Sequence, residues 1–154
     1  MCLAFVQKNG TMLNFTVESR LLVSAGIIAL AAAVWHVLCI WGGPGWFAFA
    51  RAPQLIIDSA KQGTILAPVA TLIVAGLMVA CALFAFSAAG LVPEVPLIKP
   101  ALITIAALCI IRALIASPDF VTSAGLDVWQ IVASAVWLYV GVCFVFGAVE
   151  YFNK

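Results

Sequence analysis

The sequence predicts an all-α integral membrane protein: a four-helix bundle with a short interfacial helix between spans one and two. Three observations carry that reading. Of 154 residues, 66% are hydrophobic and 8% charged, where a soluble domain is about 45–50% apolar and about 25% charged. Residues 21–50, 62–93 and 128–149 contain no Asp, Glu, Lys or Arg, and residues 101–116 contain only Arg112. A membrane-crossing helix needs roughly 20 mostly apolar residues, so these are four candidate spans. Seven basic and six acidic side chains cannot cover a water-facing surface of this size. The composition excludes a soluble enzyme and a disordered chain. A net charge of +1 without a basic cluster excludes nucleic-acid binding.

Residues 1–20 form an N-terminal segment ahead of a single four-span domain over 21–154. Met1 to Thr11 are poorly committed to structure, Met12 is an alternative start, and Asn14-Phe15-Thr16 matches a glycosylation sequon. The apolar run that follows is too long for a signal-peptide core and lacks a small-x-small cleavage site. Span one covers 21–41. Its Ala25, Ala29, Ala32 and Ala33 recur at helical spacing, the small-residue stripe that lets helices approach closely in lipid. His36 continues the stripe and is expected to face the bundle.

Gly42-Gly43-Pro44-Gly45 breaks the helix, and Trp46, Phe47 and Phe49 suit the headgroup level. Residues 53–62 read as an interfacial or re-entrant helix, with Pro53 in the first turn and Gly63 at the C-terminal end. Gln54, Asp58, Lys61 and Gln62 share one side, while Ile56, Ile57 and Ala60 occupy another. Span two covers 64–91 and carries the stripe Thr64, Pro68, Thr71, Ala75 and Ala82. Pro93-Glu94-Val95-Pro96 makes a tight turn before span three, 100–116, opened by Pro100. Span four covers 128–149. Asp127 and Gln130 spell a capping box at its start, and Gln130, Ser134, Trp137 and Gly141 line one face.

With four crossings both termini and the 93–96 turn share a side, which holds Lys8, Arg20, Lys99 and Lys154. The other side holds Arg51 and Lys61, plus Arg112 if it snorkels. The positive-inside rule then puts the termini in the cytoplasm. His36, Thr71, Arg51, Arg112, Asp127 and Gln130 all lie toward the outer side, so a ligand site is expected to open there, walled by deeper side chains such as Trp137. The half nearer the termini is almost purely apolar. Arg112, the one charge within a span, is a ligand-binding candidate or a snorkelling side chain. His36 is a proton carrier, a ligand-orienting donor or an interhelical hydrogen-bonding group. Cys39, Cys81, Cys109 and Cys143 fall on different spans, no CxxC occurs, and the fifth, Cys2, is terminal. No metal site or cofactor is expected. No Ser-His-Asp spelling, HExxH or Gly-rich phosphate loop occurs, and no catalytic residue can be assigned.

Residues 36–53, with Trp41-Gly42-Gly43-Pro44-Gly45-Trp46-Phe47 and Arg51-Ala52-Pro53, resemble a class of small bacterial membrane proteins of unassigned function. Ser87-Ala88-Ala89-Gly90, the Pro96-Leu97-Ile98-Lys99-Pro100 turn and Arg112 fit the same class. The resemblance covers roughly 21–116 and implies four spans and a bacterial inner membrane, but no catalytic residue or substrate.

The first functional expectation is a binding or accessory protein that holds a membrane lipid or small apolar ligand in an outer-side pocket. His36, Arg112 and Gln130 would supply its polar contacts, with Arg51, Asp127, Thr71 and Trp137 beside them. The second is an interaction protein, a subunit, immunity factor or effector that docks another membrane protein or a second copy of itself. The third is a small membrane enzyme using His36 as acid–base and Arg112 to hold an anionic head group.

Overall fold

Backbone groups inside a long apolar run have no water to bond, so they must bond one another, and helix is the local solution. A computed structural model gives the structure and describes residues 5–6, 12–13, 17–115 and 128–153. The described chain is helical except for one minimal antiparallel pairing in the N-terminal segment. There β1 (Phe5–Val6) pairs with β2 (Met12–Leu13), Phe5 opposite Leu13 and Val6 opposite Met12. The helices are α1 (Val17–Gly42), α2 (Pro44–Phe49), α3 (Gln54–Lys61), α4 (Leu66–Ala88), α5 (Ile98–Ile115) and α6 (Val128–Asn153).

Three of these, α1, α4 and α6, are long and apolar enough to cross a membrane, not the four expected. The difference lies in α5, described over Ile98–Ile115. Lys99 and Arg112 stand near its two ends, so the uncharged stretch between them is only about 18 Å long. The three long helices nonetheless point to a membrane protein. The apolar window of α4 has a mean hydropathy of 2.6, yet only 22% of it is buried. Leu72, Ile73 and Leu77 are exposed along it, as suits helices solvated by lipid rather than water.

Boundaries moved where the sequence offers no stop. α1 begins at Val17, ahead of the expected 21, with Glu18 in its first turn where the helix dipole favours an acid. α6 runs on to Asn153 because nothing after Val149 breaks it. The expected four-residue break at 42–45 narrows to one residue. Gly43 takes φ 70° and ψ −161°, a conformation closed to L side chains. Pro44 then starts α2 at the first helical position, where its missing N–H costs nothing. Residues 46–49 are thus helical, and Phe47 is buried.

The chain divides into two compact units, one of Ile27–Ala82 and one of Met1–Gly26 with Leu83–Lys154, so the boundary passes through both α1 and α4. In the Ile27–Ala82 unit, Cys39, Phe47 and Ala67 form a buried cluster covered by Trp35, Ile40, Ile56, Ile57 and Ala60. Helix α3 is amphipathic as expected. Its Ile56, Ile57 and Ala60 pack on that cluster, while Gln54 Nε2 donates to Asp58 Oδ1 (2.8 Å) and Lys61 pairs with Asp58 at 3.9 Å on the outer side. Pro53 sits at the N-cap instead of in the first turn, and Gly63 follows the C-cap with φ 67°.

In the other unit α5 and α6 run antiparallel, since Lys99 lies over Phe152 while Ile110 meets Gly141. The approach at Gly141 is close. A Cβ there would stand 2.7 Å from Ile110 Cγ1 and 3.2 Å from the Ile110 backbone nitrogen. The small residue lets the two backbones meet, the same logic that favours glycine at helix contacts in lipid.

Candidate functional site

The seven candidate residues fall into different places. In the Ile27–Ala82 unit, His36 is half-buried, and its Nδ1 lies 2.7 Å from the Ala32 carbonyl one turn back on α1. A carbonyl only accepts, so Nδ1 is the donor in that contact. Thr71 is buried, and its hydroxyl donates to the Ala67 carbonyl at 2.6 Å. It satisfies its own helix and presents no donor to a ligand. Arg51 is exposed in the link between α2 and α3 and has φ 56°, a left-handed backbone rare outside glycine. In the other unit, Arg112 is exposed in the last turns of α5, and Gln130 and Trp137 are half-buried on α6. Asp127, and the capping box it was expected to form with Gln130, lie outside the described residues, as does Asp119, a conceivable partner for Arg112.

Two buried serines organise the connections. Ser59 of α3 accepts the Ala67 N–H at 2.9 Å and meets the Thr64 hydroxyl at 2.6 Å. Ala67 is in the first turn of α4, so α3 supplies the cap that α4 lacks locally. Ser87, near the end of α4, donates to the Pro93 carbonyl at 3.1 Å and accepts the Val95 N–H at 3.0 Å, which pins the 93–96 turn. Both serines serve the fold. Trp35 stacks on Trp46 with centroids 5.6 Å apart and meets Phe49 at 6.0 Å. These rings pack on one another.

The open space is elsewhere. A groove of about 550 Å³ runs along the α5–α6 pair, lined by Ile103, Ala106, Ala107 and Ile110 on α5 and by Val145, Ala148, Val149, Phe152 and Asn153 on α6. Its volume falls within the roughly 300–1,000 Å³ of small-molecule sites. It exists because alanines on one helix lie near an alanine on the other, and their short side chains leave room between the larger flanking ones. At one end the Lys99 ammonium sits 5.2 Å from the centre of the Phe152 ring, the same ring that lines the groove. At 3.6 residues per turn Lys99 falls on the helical arc of Ile103, Ala106 and Ile110, whereas Arg112 falls on the opposite arc.

None of the six described candidates lines this groove. It occupies the half of α5 and α6 nearer the 93–96 turn and the chain end. Polar residues were the signal used to look for a site, and an apolar groove emits none. Facing alanines at helical spacing, with a lysine on the same arc, were the available sign. Among the described residues no group of three or more His, Cys, Asp or Glu is placed to hold a metal ion. Comparison with protein families, with curated proteins and with solved structures gives no match.

Proposed function

We propose that the protein is a membrane-resident binding protein that holds one lipid chain in the α5–α6 groove, within the bacterial inner membrane that the sequence resemblance implies. The observation that supports this reading is the groove itself, an apolar channel of about 550 Å³ whose only lining side chain with a polar end group is Asn153. Burying methylenes against such walls adds dispersion contacts that mobile neighbouring lipids do not supply. Helix α5, with Lys99 and Arg112 near its ends, gains a function here as one wall of the site. His36, Arg112 and Gln130 have no part in the reading.

The test is the lipid content of the full chain purified in mild detergent, measured by native mass spectrometry. Ala107 is exposed and lines the groove, so Ala107→Trp fills it without entering the α5–α6 contact. Leu108, exposed and outside the groove, provides Leu108→Trp as the control. Retained lipid is expected to fall in Ala107→Trp and to persist in Leu108→Trp. Equal retention in both, or none in the unmodified chain, overturns the reading.

A further inference from the structure

Resting on that reading of the groove, we propose that its occupant is an anionic phospholipid whose phosphate is held by the Lys99 ammonium. The groove has two unlike ends. Toward Ile110 and Val145 it continues into apolar side chains. Toward Phe152 and Asn153 it meets a cation, because the ring that closes it carries Lys99 at 5.2 Å. An amphiphile entering this channel has one orientation that puts its chain against alanine, isoleucine and valine and its charge beside Lys99. The opposite orientation buries a head group against Ile110.

The ammonium is placed rather than merely present. Contact with an aromatic face attracts a cation, which here biases a flexible four-carbon stem toward the groove's mouth. Arg112 lies on the far arc of α5, away from the mouth. Asn153, at the same end of the lining, adds an amide that can donate to a phosphate oxygen. Leu97, two residues before Lys99, is 77% exposed with φ 62°, a large apolar side chain beside the mouth that suits the boundary between head groups and chains.

The experiment reconstitutes the full chain in nanodiscs of equal phosphatidylglycerol and phosphatidylcholine, extracts it into detergent and counts each retained lipid by native mass spectrometry. One lysine near a lipid surface favours an anionic head group by about 1 kcal/mol, so phosphatidylglycerol is expected to be retained about fivefold over phosphatidylcholine. Lys99→Met keeps the length of the stem and removes the charge. Its retained lipid should fall to the bulk ratio with total lipid little changed, and Lys99→Arg should restore the preference. Phe152→Leu should give an intermediate ratio. Retention without head-group preference in the unmodified chain, or a preference that survives Lys99→Met, overturns the assignment and leaves the groove reading standing. Absence of any retained lipid overturns both.

Discussion

The Ile27–Ala82 unit and the unit built from residues 1–26 and 83–154 use the same staple for their connections and opposite strategies for their interiors. Each returns the chain through a turn pinned by one buried serine, Ser59 in the first and Ser87 in the second. In the Ile27–Ala82 unit the space beside α1 is filled by the short helices α2 and α3, with Phe47 buried and Trp35 stacked on Trp46. In the other, glycine brings helices together and facing alanines leave a groove open beside the contact. Large rings that touch one another close a volume. Small residues that let backbones touch leave the volume next to them empty, because the flanking larger side chains hold its edges apart. The site follows from the second strategy.

Four substitutions break or sharpen this contrast. The largest effect is expected from Gly141→Leu, whose side chain has to displace both Ile110 Cγ1 and the α5 backbone. Overpacking of this kind costs about 3 kcal/mol, and it should lower the unfolding temperature in detergent and abolish lipid retention together. If α5 and α6 tolerated it with the groove occupied, close approach would not be what forms the site. Next comes Ser59→Ala, which strips the buried Ala67 N–H of its acceptor. A loss of about 2 kcal/mol is expected, seen as faster hydrogen exchange in the first turn of α4. Lipid retention in the other unit should not change, and a parallel drop there would argue against independent units.

A smaller change of opposite sign is expected for Arg51→Gly. The left-handed backbone at Arg51 is disfavoured for a side chain by about 1 kcal/mol, so the glycine variant should melt higher. A lower melting temperature would mean that the arginine side chain earns its strained place through its contacts. The smallest effect belongs to Ser24→Ala, which removes a 2.8 Å hydrogen bond from α1 to Tyr139 of α6. Interhelical bonds of this type contribute about 0.6 kcal/mol in lipid. Denaturant unfolding in micelles that gave more than about 2 kcal/mol would make hydroxyls, not glycine, the main tie of that unit.

Much of the fold was legible in the residues themselves. Apolar length located three long helices, alternation of Asp58 and Lys61 against Ile56, Ile57 and Ala60 marked α3, and Gly43 with Pro44 marked the break before α2. The helical nature of 44–49 was hidden because glycine and proline normally argue against helix, whereas here one supplies the turn and the other the first helical position. Counting α5 as a span rested on 101–116 reading as apolar, whereas the described helix carries Lys99 and Arg112 near its ends. The candidate site was less legible. His36, Arg112 and Gln130 were singled out as polar groups in an apolar chain, yet His36 bonds its own helix and Arg112 lies off the groove face.

What the sequence determined by itself was the solvent of the fold. With 66% hydrophobic and 8% charged residues, the chain points to a membrane, where backbone hydrogen bonding inside apolar runs favours helix. What only the tertiary structure decided was which helices meet, and therefore where space remains. Alanine is silent about its surroundings. Ala106, Ala107 and Ala148 describe a close-packed seam or an open groove depending on the register of α5 against α6, in which Ile110 meets Gly141 and Lys99 meets Phe152.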